Sequence, residues 1–189
     1  MARYDADKHH RRSIRLRGWG YTQGGAYFVT ICTHQGECLF DDPTLRDIAE
    51  QTWQELPNRF ASITLDEFVF MPNHVHFIVW LNPRGDDGAG VGAQFNCAPT
   101  GRPADEPTPI GNRFKVDKQR PTLGQIVRTF KALVTRRIHQ VQPEISFAWQ
   151  RNYYERVIRN ERELHAIRQY IRDNPAHWAE DAENPARGR

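Results

Sequence analysis

The sequence predicts a ferredoxin-like α+β fold, in which an antiparallel sheet carries helices on one face and a further helix follows at the C-terminal end. Two observations predict it. Strand-like and helix-like patterns follow one another in the order strand, helix, strand, strand, helix, strand and helix. The chain has 189 residues, of which 39% are hydrophobic, so one domain can bury a substantial core.

The first half of the chain predicts three strands and one helix. Aromatic and β-branched residues dominate 27–32, a composition typical of a strand. Apolar residues at helical spacing predict a helix over 42–59. The next two strands, 63–70 and 74–81, are joined by a tight turn at 71–73. We expect these two strands to form a hairpin at the centre of the sheet.

The second half predicts two helices and short strand-like segments. Thr122 and Gln125 form a capping-box pattern at the start of a helix with a continuous apolar stripe. Residues 147–149 and 153–158 are strand-like. The last helix is expected over 160–174, because asparagine is a favourable N-cap at its start and the proline that follows disfavours further helix.

Composition divides the chain into an arm, a folded domain and a tail. Residues 1–24 form a basic N-terminal arm, 25–176 the folded domain and 177–189 a polar C-terminal tail, which we expect to be a second arm. Within the domain, 82–121 holds six of the 13 glycines and six of the 12 prolines, which predicts a flexible surface insertion.

Several classes of protein are excluded by the same composition. No stretch approaches the roughly 18 consecutive apolar residues of a membrane span. The N-terminus is charged and is not expected to be a secretory signal. Three cysteines, an odd number without metal-site spacing, indicate reduced thiols in a cytoplasmic protein.

A histidine pair on the third predicted strand is the main candidate for chemistry. Side chains alternate along a strand, so His74 and His76 share one face and Val75 points to the other. Two imidazoles in this arrangement can bind one divalent ion if a third ligand arrives from elsewhere. The alternative, that both histidines are ordinary core residues, stays open at this point.

Two polar residues on the last helix form a second candidate. Tyr170 and Asn174 are four residues apart, so they project from the same helical face. On the residues alone, ordinary packing combined with a C-cap explains this pair better than chemistry does.

Basic and polar residues in three regions predict contacts with nucleic acid. Phosphate contacts are predicted for the basic arm and for the face of the second helix away from its apolar stripe. Hydrogen bonds to unpaired bases are predicted before the last strand, where Trp149 is either a stacking platform or core. The alternative for the charged residues is a solvated surface. The candidates are His10, Arg11, Arg12, Arg15, Arg128, Lys131, Arg136, Gln150 and Arg151.

Five motifs, taken in order, carry a resemblance to a known family. The chain resembles the REP-associated tyrosine transposases, relatives of the insertion-sequence single-strand transposases in the HUH superfamily. The resemblance covers most of the chain outside 82–121. The motifs are KHHRRS at 8–13, YFVTIC at 27–32, MPNHVH at 71–76, WQRNYYE at 149–155 and YIRDNP at 170–175.

The resemblance implies roles for the candidate residues. His74, His76 and Asn174 become the ligands of a Mg²⁺ or Mn²⁺ ion, and Tyr170 becomes the nucleophile on a catalytic helix. All three ligands are neutral, so the ion would keep its full charge for a phosphate. Tyr153 and Tyr154 are alternative nucleophiles, which we expect instead to be structural or to contact DNA.

The resemblance also implies a substrate and a reaction. The expected partner is single-stranded or hairpin DNA, without a membrane, bound by a monomer or a homodimer. The expected reaction cleaves and rejoins DNA near a palindromic hairpin through a 5′-phosphotyrosine intermediate. A domesticated hairpin-DNA-binding protein and a replication-initiation-type nickase are the alternatives.

Overall fold

The fold is built on one four-stranded antiparallel sheet. A computed structural model of the protein describes residues 24–82 and 121–188. Its strands are β1 Gly25–Cys32, β2 Ile63–Met71, β3 His74–Leu81 and β4 Tyr154–Ile158. Across the sheet they follow the order β2-β3-β1-β4, which is that of a ferredoxin-like fold. The predicted fold class is confirmed.

The hairpin of β2 and β3 lies at one side of the sheet rather than at its centre, which corrects one expectation. β3 pairs with β1 along its whole length, from Leu81 opposite Gly25 to His74 opposite Cys32. β2 pairs only with β3, so it is an edge strand. The connection from β1 to β2 leaves a gap of one strand between them, and β3 fills this gap. The histidines of β3 still lie in the middle of the sheet.

Within residues 24–82 and 121–188, four α-helices pack around the sheet: α1 Pro43–Gln54, α2 Leu56–Arg59, α3 Leu123–Val141 and α4 Glu161–Asp173. The predicted helix over 42–59 divides at Glu55, because Pro57 has no backbone N–H to continue the helical hydrogen bonds. The capping box of α3 forms as predicted, with Gln125 N–H donating to Thr122 Oγ1 at 3.2 Å. None of the described helices combines the length and the apolar character of a membrane span.

The sheet separates two apolar clusters. α1 and α3 cover one face, around the buried rings of Trp53 and Phe130. α4 covers the opposite face, where its apolar stripe packs on Ile78 of β3. Because side chains alternate along a strand, His74 and His76 lie on the same face as Ile78 and therefore on the side of α4.

A charged clamp fixes α4 to the edge strand β2. The Arg168 guanidinium donates two hydrogen bonds to the carboxylate of Asp66, at 2.8 and 2.6 Å. The indole N–H of Trp80 donates to the same carboxylate at 2.7 Å. One turn further along α4, Arg172 pairs with Glu67. The clamp holds the second half of α4 over the sheet.

Asp66→Asn is expected to lower the free energy of unfolding by about 1–3 kcal/mol at neutral pH, because it leaves the Arg168 charge without its partner. Burial raises the pKa of the Asp66 carboxyl. Hydrogen bonds from Arg168, Trp80 and the Glu67 backbone together lower it by more than burial raises it, so the pKa is below its ordinary value. The contribution of the ionised Asp66 carboxylate to the free energy of unfolding is present above the unfolded-state pKa of about 3.9. It is lost as the pH falls through the folded-state pKa.

Urea unfolding at neutral pH and in acid measures this effect. The difference between wild type and Asp66→Asn is expected to shrink in acid, where the wild-type carboxyl also becomes neutral. Asp173→Asn is the control, since Asp173 is an exposed carboxylate on the same helix. Equal unfolding midpoints for wild type and Asp66→Asn at neutral pH would show that the clamp does not stabilise the fold.

The C-terminal segment folds against the sheet instead of forming the expected arm. Residues 174–180 and 185–188 are 3₁₀ helices. The Asn73 amide, in the turn before β3, donates to the carbonyl of Glu183 at 2.6 Å. The Trp178 ring lies 6.0 Å from the His74 imidazole. The polar composition suggested exposure, but polar groups of this segment bond to the body of the protein.

Candidate active site

The histidine pair is buried at the start of the central strand β3. His74 is fully buried and His76 is 4% exposed. Their Nε2 atoms lie 3.0 Å apart, and their ring centroids 4.5 Å apart. Two polar nitrogens this close need a shared proton or a shared ion between them, because two lone pairs facing each other repel.

The neighbours of His74 fix which nitrogen carries its proton. The Asn73 amide donates to two carbonyls, that of Gly36 at 3.2 Å and that of Glu183 at 2.6 Å. Its Oδ1 is therefore the acceptor that faces His74 Nδ1, at 2.8 Å. His74 thus donates from Nδ1 and presents the lone pair of Nε2, as the ring of a metal-binding histidine does.

His76 has a matching partner in Thr30 of β1. Thr30 Oγ1 lies 2.8 Å from His76 Nδ1 and can accept a hydrogen bond from an N–H at that atom, which leaves Nε2 of His76 with the second lone pair. Burial, together with the nearby His74, lowers the pKa of His76 to about 3. Burial also lowers the pKa of His74, against the opposing charges of Asp181 and Glu183. Both rings are neutral at neutral pH.

Tyr170 projects from α4 over this pair. Its hydroxyl lies 3.4 Å from His76 Nε2, and its ring packs at 5.3 Å from the His76 ring and 6.0 Å from Phe28. The side chain is 48% exposed, so one edge remains open to a ligand. Burial raises the pKa of Tyr170, a hydrogen bond from Asn174 lowers it, and the charges of Asp181 and Glu183 raise it, for a net increase.

Asn174 lies at the C-terminal end of α4, one helical turn after Tyr170. It is 5% exposed, and its Oδ1 has no hydrogen-bond partner among the described residues. A buried carbonyl oxygen without a partner is costly, and binding a cation is one way to satisfy it. The structure thus brings together the four residues His74, His76, Tyr170 and Asn174.

A carboxylate that the sequence did not suggest completes the cluster. Asp181 Oδ2 lies 3.9 Å from His74 Nε2. The ligand atoms of His74, His76 and Asp181 all lie within 4.8 Å of one another, so this group could hold a metal ion. No local pattern could have found Asp181, because it reaches the histidines only after the segment beyond α4 folds back.

The geometry fits a divalent cation. Two ligands at about 2.1 Å and at right angles around one ion are about 3.0 Å apart. The two Nε2 atoms have this separation. The partners of both Nδ1 atoms orient the rings, and the nearby side chains of Asn174 and Asp181 carry oxygen atoms of the kind that bind hard divalent cations.

A cleft of about 1130 Å³ opens at His76. Tyr170 and Asn174 line one side of it. Gln150, Arg151 and the exposed Tyr154 at the start of β4 line another side. The predicted base contacts therefore lie at the same opening as the histidine pair and Tyr170.

The basic residues of α3, which are predicted to contact phosphates, do not line the cleft beside Tyr170. Arg128 and Arg136 are exposed on α3, which packs on the face of the sheet opposite the histidines. Lys131 donates to the carbonyls of Gln150 at 2.6 Å and Asn152 at 3.2 Å, and burial lowers its pKa to about 8. Lys131 therefore stabilises the backbone of Gln150 and Asn152, which line the cleft. Its contact with phosphate stays a prediction.

Other candidates resolve into structural roles or fall outside the described residues. Trp149 forms a single bridge with Thr33, in place of a strand over 147–149, and packs in the core against Phe40. Tyr153 also packs against this core. The predicted contacts of the arm lie outside the described residues. They are His10, Arg11, Arg12 and Arg15.

The fold and the site define a class of α+β protein in which a histidine pair on a central strand faces a helix that carries a tyrosine. A REP-associated tyrosine transposase, solved bound to a REP hairpin, has the same fold. The two match with a TM-score of 0.51 and 19% identity, over 93% of this chain and 73% of that one. This likeness in fold agrees with the resemblance that the motifs indicate.

The chain belongs to the same family as an uncharacterized protein of Haemophilus influenzae. The two are 36% identical over 187 residues, which is 95% of this chain and 96% of the relative. A structure from Deinococcus radiodurans, provisionally described as a transposase, matches with a TM-score of 0.44 and 16% identity, over 82% of this chain and 95% of that one. No protein-family model matches the sequence.

Proposed function

We propose that the protein is a metal-dependent transposase or nickase that cleaves and rejoins single-stranded DNA through Tyr170. One observation carries this proposal: the Tyr170 hydroxyl lies 3.4 Å from His76 Nε2, beside a histidine pair whose geometry fits a divalent cation. A phenol that meets a potential cation site at an open cleft is suited to attack a phosphodiester.

In the proposed reaction the Tyr170 oxygen attacks the phosphorus of a DNA phosphodiester. The new bond joins the phenolic oxygen to the 5′-phosphate, and the bond to the 3′-oxygen breaks. The phenolic proton passes to solvent water, and the 3′-oxygen takes up a proton from solvent. The products are a 5′-phosphotyrosine link and a free 3′-hydroxyl. Because one phosphodiester replaces another, the linkage can be rejoined to a second 3′ end without an external energy source.

The residues of the chain prepare this step. His74, His76 and Asn174 are proposed to hold Mg²⁺ or Mn²⁺, and Phe28 supports the Tyr170 ring. A bound divalent cation would neutralise charge on the phosphate and lower the pKa of the nearby phenol. This effect is needed because the site itself raises the pKa of Tyr170 above its ordinary value of about 10.

The proposed substrate is single-stranded DNA next to a hairpin. The cleft beside Tyr170 presents Gln150 and Arg151, which can form hydrogen bonds with unpaired bases. The structural neighbour is bound to a REP hairpin, and this supports the same kind of ligand here. Binding as a monomer or a homodimer stays a prediction.

A denaturing gel tests the proposal directly. The protein is incubated with labelled single-stranded oligonucleotides that carry hairpins of varied stem and loop, with Mg²⁺ or Mn²⁺. We expect a covalent protein–DNA adduct that resists denaturant and needs the divalent ion. If the protein binds the hairpins but forms no adduct with any of the oligonucleotides, the result would instead support the alternative of a domesticated binding protein.

A further inference from the structure

The carboxylate of Asp181 has the position expected of a metal ligand. Its side chain is 11% exposed, although it belongs to a polar segment after α4. Ligand atoms around one octahedral ion are about 3.0 Å apart when adjacent and about 4.2 Å apart when opposite. The distance of 3.9 Å from Asp181 Oδ2 to His74 Nε2 lies between these values. A small side-chain movement would bring both atoms to one ion.

A chain of hydrogen bonds holds this carboxylate in place. Glu183 N–H donates to Asp181 Oδ1 at 2.7 Å, which leaves Oδ2 as the atom nearest His74. The Glu183 carbonyl accepts from the Asn73 amide at 2.6 Å. Asn73 Oδ1 in turn accepts from His74 Nδ1 at 2.8 Å. One set of bonds therefore positions both the His74 ring and the carboxylate that faces it.

We propose that Asp181 is a ligand of the ion that His74 and His76 bind, so that the site contains two imidazoles and one carboxylate. The inference rests on the metal ion of the proposed function. It departs from the ligand set implied by the family resemblance, in which every ligand is neutral. Asn174 stays a proposed ligand of the same ion, since its buried Oδ1 has no hydrogen-bond partner among the described residues and an octahedral ion takes six ligands.

The carboxylate changes what the site selects. Imidazoles alone suit zinc, copper or nickel, whereas carboxylates suit magnesium and manganese. Asp181 also compensates one of the two positive charges of the ion. We therefore infer that this residue makes a histidine pair in a buried pocket bind a hard cation before DNA is present.

Titration of the full-length protein with Mn²⁺, followed by electron paramagnetic resonance of the free ion, tests this role. Asp181→Asn is expected to weaken Mn²⁺ binding at least about tenfold, because it replaces a charged carboxylate ligand with a neutral amide while keeping the shape of the side chain. Glu183→Gln is the matched control. The charges of Glu183 and Asp181 both raise the pKa of His74. The Glu183 carboxylate, however, does not belong to the cluster of ligand atoms formed by His74, His76 and Asp181. Its change is expected to stay within about threefold.

Three results would overturn the proposal. They are an unchanged Mn²⁺ affinity in Asp181→Asn, an equal loss in Glu183→Gln, and no Mn²⁺ binding by wild type. A second measurement needs no variant: wild-type protein labelled with ¹³C-aspartate should show a shifted carboxylate band in the infrared when Mn²⁺ is added, and the absence of a shift also contradicts the proposal. DNA adduct formation is scored separately, so failure of this ligand leaves the test of the proposed function intact.

Discussion

Tyr170→Phe is expected to abolish the covalent protein–DNA adduct, lowering its rate of formation by at least about three orders of magnitude. The substitution removes the only atom of this side chain that can bond to phosphorus. The ring remains, and with it the packing on Phe28 and His76. Tyr170 is also half exposed, so the loss of its hydroxyl should leave the fold unchanged. A denaturing gel with a hairpin oligonucleotide and Mn²⁺ measures the result.

Tyr154→Phe is the matched control. Tyr154 is 42% exposed, lines the same cleft and packs on Phe28 at 6.3 Å. It lies on β4 rather than on α4, and no hydrogen bond joins it to the histidine pair among the described contacts. We expect Tyr154→Phe to form the adduct at close to the wild-type rate. An adduct formed by Tyr170→Phe would show that Tyr170 is not the nucleophile. Loss of the adduct in Tyr154→Phe alone would show the same.

Much of the fold follows from local patterns in the sequence. The apolar run after the histidines predicts β3, and its bounds agree with the structure. The pairs Thr122 with Gln125 and Asn160 with Glu163 predict the starts of α3 and α4, where both caps form. Each of these signals lies within one element, and local hydrogen bonds or side-chain alternation suffice to explain it.

Features that depend on contacts between distant segments could not be read in this way. The position of β2 at the edge is set by pairing of β3 with β1, which are far apart in the chain. Lys131 looks like a surface cation on its helix, but its ammonium is bound by carbonyls of the 150–152 loop. Asp181 lies in a polar segment that resembles an arm until it folds against Asn73 and His74.

Substitution of His76 by alanine separates cleavage from binding, and it is the second large effect that we expect. His76→Ala removes one of the two lone pairs at the pocket and the partner of Thr30. Adduct formation should fall at least about a thousandfold, because the proposed ion would lose a ligand and with it the charge stabilisation of the attacked phosphate. Hairpin affinity should fall less than about tenfold, since DNA contacts spread over many phosphates and bases.

His165→Ala is the control for this second experiment, because His165 is an exposed histidine on α4. The small cavity left by His76→Ala is checked by the melting temperature, so that a loss of cleavage is interpreted only in folded protein. Adduct formation is then compared with hairpin affinity in an electrophoretic mobility assay. Parallel loss of both in folded His76→Ala would mean that the histidine organises the DNA surface. Unchanged cleavage would remove His76 from the metal site. Only loss of cleavage with binding retained supports the role in which the buried pair acts on the phosphate that Tyr170 attacks.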